Sequence, residues 1–455
     1  MGADRDRKFR GFYSHLQHGE EAPIDRMLEP VARFLRIEAV SGVLLLICAA
    51  VAMLLANSPW REAVDRFWLA DVGFDVGEAQ FHLSLLHWIN DGLMTVFFFV
   101  VGLEIKREIV IGELRQWRAA VLPIAAALGG MVAPALVFLS LQMGTPGEPG
   151  WGVPMATDIA FVVGVLTVLG RRVPQSLKLF LLTLAIVDDL GAILVIAVFY
   201  SGAVEWGWLA LGVFGVAVVV ALQRLGVWSI PAYAVAGAVL WYGVYHSGLH
   251  PTIAGVVLGL ATPIVGRLMP TRPFEYAAMH VRDMPIGPEA MHNPEVHHKL
   301  QTLDRLIELS RSPLQRLEHS LHGWVAFVVM PLFALANAGV HLHPSSLFEP
   351  LAWAVAAGLV VGKPLGILAA SFLVARVGLA RLPTDVTWLI LLGGACLAGI
   401  GFTMSLFVSH LAFQGDLLGT AKFGVLAGSV ASGLLGIAIL VFALGRKEAS
   451  TGPNA

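Results

Sequence analysis

Twelve mostly apolar runs, each near the roughly 20 residues that an α-helix needs to cross a bilayer, follow one another along this chain. They cover approximately 38–57, 85–105, 119–142, 152–169, 176–200, 207–223, 228–245, 248–265, 321–340, 352–375, 387–412 and 420–445. In hydrocarbon no water meets the backbone, so each run must bond its own N–H and C=O groups, which a helix does and an isolated strand does not. Composition agrees. Of 455 residues, 57% are hydrophobic and 14% charged, against roughly 25% charged in soluble domains, and the mean hydropathy is +0.75. So few charges cannot cover a soluble surface. The fold expected is an all-α polytopic membrane protein with about twelve transmembrane helices. The first run begins too far in, and lacks a small-residue cleavage site, to be a removable signal peptide.

The 30 Lys and Arg residues set how the runs alternate. With the N-terminus in the cytoplasm, 26 of them fall in inner segments, and Arg61 and Arg66 are the two in outer ones. Lys363 and Lys422 lie within or at the start of spans. Basic residues gather on the cytoplasmic side, and one span more or fewer would scramble this asymmetry. Both termini are therefore expected inside. The organisation expected is a tail 1–37, one membrane domain 38–445 and a tail 446–455. Within the domain, an inner loop 266–316 carries Pro270, Pro273, Pro285, Pro288 and Pro294 and also His280, His292, His297 and His298. Without a cysteine or tight carboxylate cluster beside them, these histidines read as part of a solvated linker, not a metal site. The outer loop 58–84 alternates apolar and polar residues around Val72–Val76, the pattern of a short hairpin. Net charge is −2 with no large basic patch, which argues against a nucleic-acid partner. Cys48 and Cys396 each sit in an apolar run, so no disulfide framework is expected. No cofactor motif is present; in particular no G-x-x-x-x-G-K-[ST] loop for a nucleotide occurs.

Ionisable groups at mid-bilayer are costly and point to function. Asp188 and Asp189 lie between Leu181–Val187 and Leu190–Ile196, at the middle of an apolar run. Adjacent helix residues point about 100° apart, so one carboxylate can face an ion site while the other faces a neighbouring helix. Two carboxylates this close in a dry site need a proton, a metal cation or a basic side chain as compensation. A group that accepts either H⁺ or a cation is the minimal device for exchanging them. Pro154 and Thr157-Asp158 interrupt the fourth run, and Gly399-Ile400-Gly401 interrupts the eleventh. Interrupted spans in matching positions of two halves mark the binding site of inverted-repeat transporters, although glycines by themselves equally suit close helix packing. If both helices break at mid-depth, two positive and two negative half-helix ends need compensation. Asp158 suits the positive ends. Lys363, in Gly362-Lys363-Pro364, suits the negative ends or an aspartate. Glu104, Lys106, Arg107 and Glu108, and likewise Glu318, His319 and His322, cluster at inner helix ends. They read as solvated helix ends or as a cytoplasmic mouth whose charge changes near neutral pH.

These segments, in order, resemble the NhaA-type sodium/proton antiporters of bacteria. The resemblance rests on Trp88–Met94, Val101–Glu108, Ala156–Phe161, Leu184–Ala192, Arg316–His319, Gly362–Gly366 and Gly399–Ser405, and spans about residues 38–265 and 313–445. That family is itself a type example of the inverted-repeat architecture invoked above. The resemblance implies twelve spans as inverted repeats, with the fourth and eleventh broken, at Pro154 and at Gly399 and Gly401, and crossing. It implies that Asp188 and Asp189 carry the exchanged Na⁺, Li⁺ and H⁺, that Thr157 and Asp158 line the site, and that Lys363 lies beside it. It places Glu104, Arg107, Glu108, Glu318, His319 and His322 on a pH-responsive inner face. It also implies a homodimer formed through an outer hairpin, for which loop 58–84 is the candidate, in the bacterial inner membrane. The long tail 1–37 and loop 266–316 depart from the family pattern.

The function expected is electrogenic export of Na⁺ or Li⁺ against H⁺, with control of internal pH, by a secondary transporter rather than an enzyme. Two rivals stand beside it. An intramembrane aspartyl protease needs its dyad on separate, facing helices, whereas these aspartates are adjacent on one. A cation channel usually shows repeated filter loops or charged rings, and none is seen.

Overall fold

A computed structural model describes residues 38–76, 79–225, 227, 230–264, 296, 298, 300–301, 312–340 and 349–450. The tail 1–37 and most of loop 266–316, including His280, His292 and His297, lie outside the described residues. Among the described residues, seven helices are long and apolar enough to cross a membrane: Trp117–Gln142, Glu148–Val168, Gln175–Phe199, Trp206–Arg224, Pro313–Asn337, Pro350–Val377 and Gly415–Gly445. The number is nine if two bent pairs are each one span, namely Val40–Ala56 with Arg61–Trp68, bent by 117°, and Trp388–Ala398 with Phe402–Ala412, bent by 46°. This is a helical polytopic membrane protein.

Helix also occupies the other three apolar runs. Leu85–His87, Trp88–Leu93 and Met94–Val110 run on as one helix with a wide π turn in its second segment. Ile230–His246 is a further helix. Thr252–Ala261 has 10 residues, about 15 Å of helix and only half of a ~30 Å hydrocarbon layer. Its ends are set chemically: Pro251 precedes its first turn, and Pro263 forces Thr262 out of the helical region, to ψ 132°.

Among the boundaries that differ from the sequence reading, two are at the ninth and last helices. The helix expected near 321 begins at Pro313, because proline suits a first helical position and the Ser312 hydroxyl accepts from Gln315 N at 3.2 Å. Glu318, His319 and His322 therefore lie on this helix rather than ahead of it. The last helix, Gly415–Ser450, runs past the expected end of its span at 445.

Loop 58–84 holds the amphipathic helix Arg61–Trp68 and an antiparallel hairpin, Asp71–Val76 with Ala79–Ser84, in which Val72 faces Leu83 and Gly73 faces His82. The hairpin seats on the helices through the Phe81 ring against Trp88 and Trp241 and through Trp88 Nε1, which donates to Val72 O at 2.8 Å.

The closest helix contact that bears on the site joins Trp117–Gln142 to Pro350–Val377. A Cβ on Gly366 would fall on the Gly129 carbonyl, and one on Gly129 would fall on that of Gly366. Absent side chains let the two backbones touch. A π turn, Gly358–Gly362, lies immediately before Lys363. The wide turn resets the helical phase, and Lys363 ends with 0% exposure, among the largest fully buried side chains.

Candidate functional site

Two interrupted elements build the site. In the first, a 3₁₀ helix Glu148–Met155 containing Pro154 gives way to extended Ala156 and Asp158 (ψ 149° and 101°), after which Ile159–Val168 resumes as α-helix. In the second, Trp388–Ala398 stops and Phe402–Ala412 restarts across Gly399-Ile400-Gly401. The interruptions touch. Asp158 N donates to Ile400 O at 2.7 Å, and Thr157 Oγ1 lies 3.0 Å from Ala398 O, an alternative acceptor for the one proton that it can also give to Asp188. A Cβ on Gly401 would crowd the Ser405 hydroxyl and stand 3.0 Å from Ala156 O. One on Gly399 would strike Ser432 Oγ and Leu359 O. Close approach of backbone at the breaks is thus what requires these glycines.

Four helix ends meet here with few charges to answer them. The Asp158 carboxylate, 1% exposed, accepts from Phe161 N at 3.4 Å, from Thr403 N at 3.1 Å and from Thr403 Oγ1. Those N–H groups belong to the first turns of both downstream half-helices, so one anion compensates two positive ends. Lys363 Nζ donates to Met155 O, at the end of the 3₁₀ segment, and to Asp188 Oδ2 at 2.5 Å. It serves a negative end and an aspartate at once.

Asp188 and Asp189 sit in mid-helix on Gln175–Phe199, 1% and 3% exposed. Asp188 Oδ2 takes Lys363 and also Thr157 Oγ1 at 2.6 Å. Its Oδ1 is buried without a hydrogen-bond partner among the described residues. Asp189 has neither hydrogen bond nor ion pair among the described residues. Through space its charge is opposed by Asp188, Glu104 and Asp158 and favoured by Lys363. The structure thus brings Thr157, Asp158, Asp188, Asp189 and Lys363 into one buried cluster.

The inner-face residues form a second group, joined to the first electrostatically by Glu104. Arg107 pairs with Glu318 and, at 3.2 Å, with Glu108; His322 Nδ1 lies 3.9 Å from Glu104. His319 is exposed and makes no such contact among the described residues. Among the described residues, no group of three or more His, Cys, Asp or Glu is arranged to hold a resident metal.

Sequence reasoning did not single out Thr403, although its place after an interrupted Gly-rich segment was the available signal. It also passed over Ser429 and Ser432, spaced i, i+3 among small residues in the last helix. The carbonyls of Met155, Ala398 and Ile400 carry no sequence signal, because every residue has one.

A model of the family described as Na⁺/H⁺ antiporter 1 matches residues 32–440. The chain is 51% identical over 426 residues to the Na(+)/H(+) antiporter NhaA of Rhodopirellula baltica, covering 93% of this chain and 96% of that one. It is 48% identical to Na(+)/H(+) antiporter NhaA 2 of Acidiphilium cryptum, covering 94% and 95%. With the Na(+)/H(+) antiporter NhaA of Rhizobium meliloti it shares 46% identity over 92% and 95%.

Proposed function

Because this chain belongs to the Na⁺/H⁺ antiporter 1 family, we propose that it exchanges Na⁺ for H⁺ at a site made by Asp188 and Asp189, held between the two interrupted elements. The observation that carries this is the unequal pairing of the two carboxylates. Asp188 is tied to Lys363 and Thr157, while among the described residues Asp188 Oδ1 has no hydrogen-bond partner and Asp189 has neither hydrogen bond nor ion pair. One carboxylate already has its ammonium, so the pair presents about one uncompensated negative charge. One monovalent cation or one proton neutralises it, and neither can bind well while the other is present. That exclusion couples the two fluxes.

Thr157 and Asp158 line the site, and Lys363 stands beside it as a second proton-bearing group. If Lys363 releases its proton as the cation binds, that proton joins the one displaced from Asp189, and two protons exchanged against one monovalent cation make the cycle electrogenic. A charge moved across the membrane is worth roughly 2.3 kcal/mol per 100 mV, enough to drive Na⁺ or Li⁺ outward against a modest gradient. The architecture we propose has twelve spans in inverted repeats, with the fourth and eleventh crossing at their breaks, both termini in the cytoplasm and the protein in the bacterial inner membrane. The inner group of Glu104, Arg107, Glu108, Glu318, His319 and His322 adjusts exchange to internal pH, and the hairpin is the surface through which two copies pair. A channel or a protease has no comparable support in these relatives.

Cation-induced pH change in proteoliposomes, scanned from pH 6 to 9, tests the reading. Asp189→Asn is expected to abolish exchange; undiminished exchange in that variant would overturn the site.

A further inference from the structure

The last helix, Gly415–Ser450, brings two buried serines to the second break. Ser429 Oγ accepts from Phe402 N at 3.1 Å, at the start of Phe402–Ala412. Ser432 Oγ donates to Cys396 O at 2.7 Å, in the last turn of Trp388–Ala398. The two hydroxyls are 6% and 0% exposed by residue and lie one helical turn apart. One helix therefore grips both lips of the gap, answering the positive lip with an acceptor and the negative lip with a donor. The lips are wired to the charges already described. Thr403, next to Phe402, donates to Asp158, while the Thr157 hydroxyl lies within reach of both Ala398 O and Asp188 Oδ2, its single proton serving one of them at a time.

We propose that Ser429 and Ser432 are positioning residues that set the electrostatic balance of the break and so tune cation and proton affinity at Asp188 and Asp189. This inference rests on the site reading above. Removing Ser429 exposes an unanswered N–H, which adds positive potential and weakens binding of both H⁺ and Na⁺. Removing Ser432 withdraws a donor from a carbonyl. That adds negative potential and strengthens both, although Gly399 N still donates to Cys396 O at 3.0 Å. The charged groups that act on Asp189, namely Asp188, Asp158, Glu104 and Lys363, are unchanged in either variant. So are the buried Lys422 on the serines' own helix and His410 on Phe402–Ala412. Partial charges at helix ends of this kind shift affinity by about two- to fivefold.

The test is apparent KM for Na⁺, maximal rate and pH profile of the full chain in proteoliposomes, beside its thermal stability. Ser429→Ala is expected to raise KM about two- to fivefold and move the profile roughly 0.3–0.7 unit toward lower pH. Ser432→Ala is expected to lower KM and move the profile toward higher pH. Ser429→Thr keeps the acceptor oxygen and should match wild type. General loosening of the break moves both alanine variants the same way, so shifts of one sign, or none, overturn the proposal. If Ser429→Ala does not fold, the sign of the Ser432→Ala shift decides alone. Asp189→Asn in the same preparation separates the two failures. Exchange that persists there defeats the site reading, while loss there with unmoved serine variants defeats only this inference.

Discussion

Asp188 and Asp189 are chemically identical neighbours, and the fold gives them different surroundings. Lys363 and Thr157 occupy one oxygen of Asp188, whereas Asp189 is unpaired among the described residues. Asn keeps the size of either side chain but neither ionises nor carries a proton. Asp189→Asn should abolish transport and calorimetric cation binding, and Asp188→Asn should abolish normal exchange or its electrogenicity. If the aspartates form the competing site proposed, falling pH protonates it and expels the cation, so apparent cation affinity in the wild type should weaken by up to about tenfold per pH unit for one competing proton. Binding indifferent to pH would sink the competition. Lys363→Ala strips a buried carboxylate of its counter-ion, a change that commonly costs about 3–5 kcal/mol. Thermal denaturation should show that loss at neutral pH and a smaller one in acid, where Asp188 takes a proton instead. Lys363→Arg keeps the charge but not the geometry and should retain partial exchange with an altered pH profile.

At the scale of elements, the breaks are held by contacts between segments rather than by the residues that interrupt them. Pro154 and the glycines permit irregular backbone; Asp158, Thr403, Lys363, Ser429 and Ser432 keep it satisfied. The helix that delivers Lys363 depends on the Gly129–Gly366 contact. Gly366→Leu forces a side chain into touching backbones, and overpacking of this kind costs about 1–3 kcal/mol. That variant should melt earlier and lose exchange, while the same substitution at Gly378, where nothing lies within 4 Å of a Cβ but φ is +82°, should cost only its backbone strain and spare transport.

For the whole molecule, control at the inner face is expected to reach the buried site through Glu104, which sits beside His322 and also acts on Asp189. Glu318→Gln removes the partner of Arg107 and frees that guanidinium to draw on Glu104 and Glu108. It should shift the pH profile with little change in maximal exchange. His319→Ala should shift it less, because His319 is exposed and unpaired among the described residues. Equal shifts, or none, would place the pH response elsewhere.

Lengths of apolar runs and the scarcity of charge carry the helical membrane class, since hydrocarbon imposes helix on any such run. Mid-run Asp158, Asp188, Asp189 and Lys363 were legible for the same reason: a charge in lipid is too costly to be incidental. The hairpin followed from alternation. Partnership was not legible. Lys363 suited an aspartate or a helix end equally in the sequence, and the fold gave it both. Which carboxylate stays open, which glycines serve close approach, and where Thr403, Ser429 and Ser432 reach depend on residues up to 245 positions apart. The short helix Thr252–Ala261 and the early start at Pro313 also lay beyond hydropathy, which measures apolar length and not the caps and prolines that end a helix. Sequence determines which groups lipid cannot leave alone; tertiary packing decides what each one meets, because a buried charge is compensated by whatever distant segment the fold sets against it.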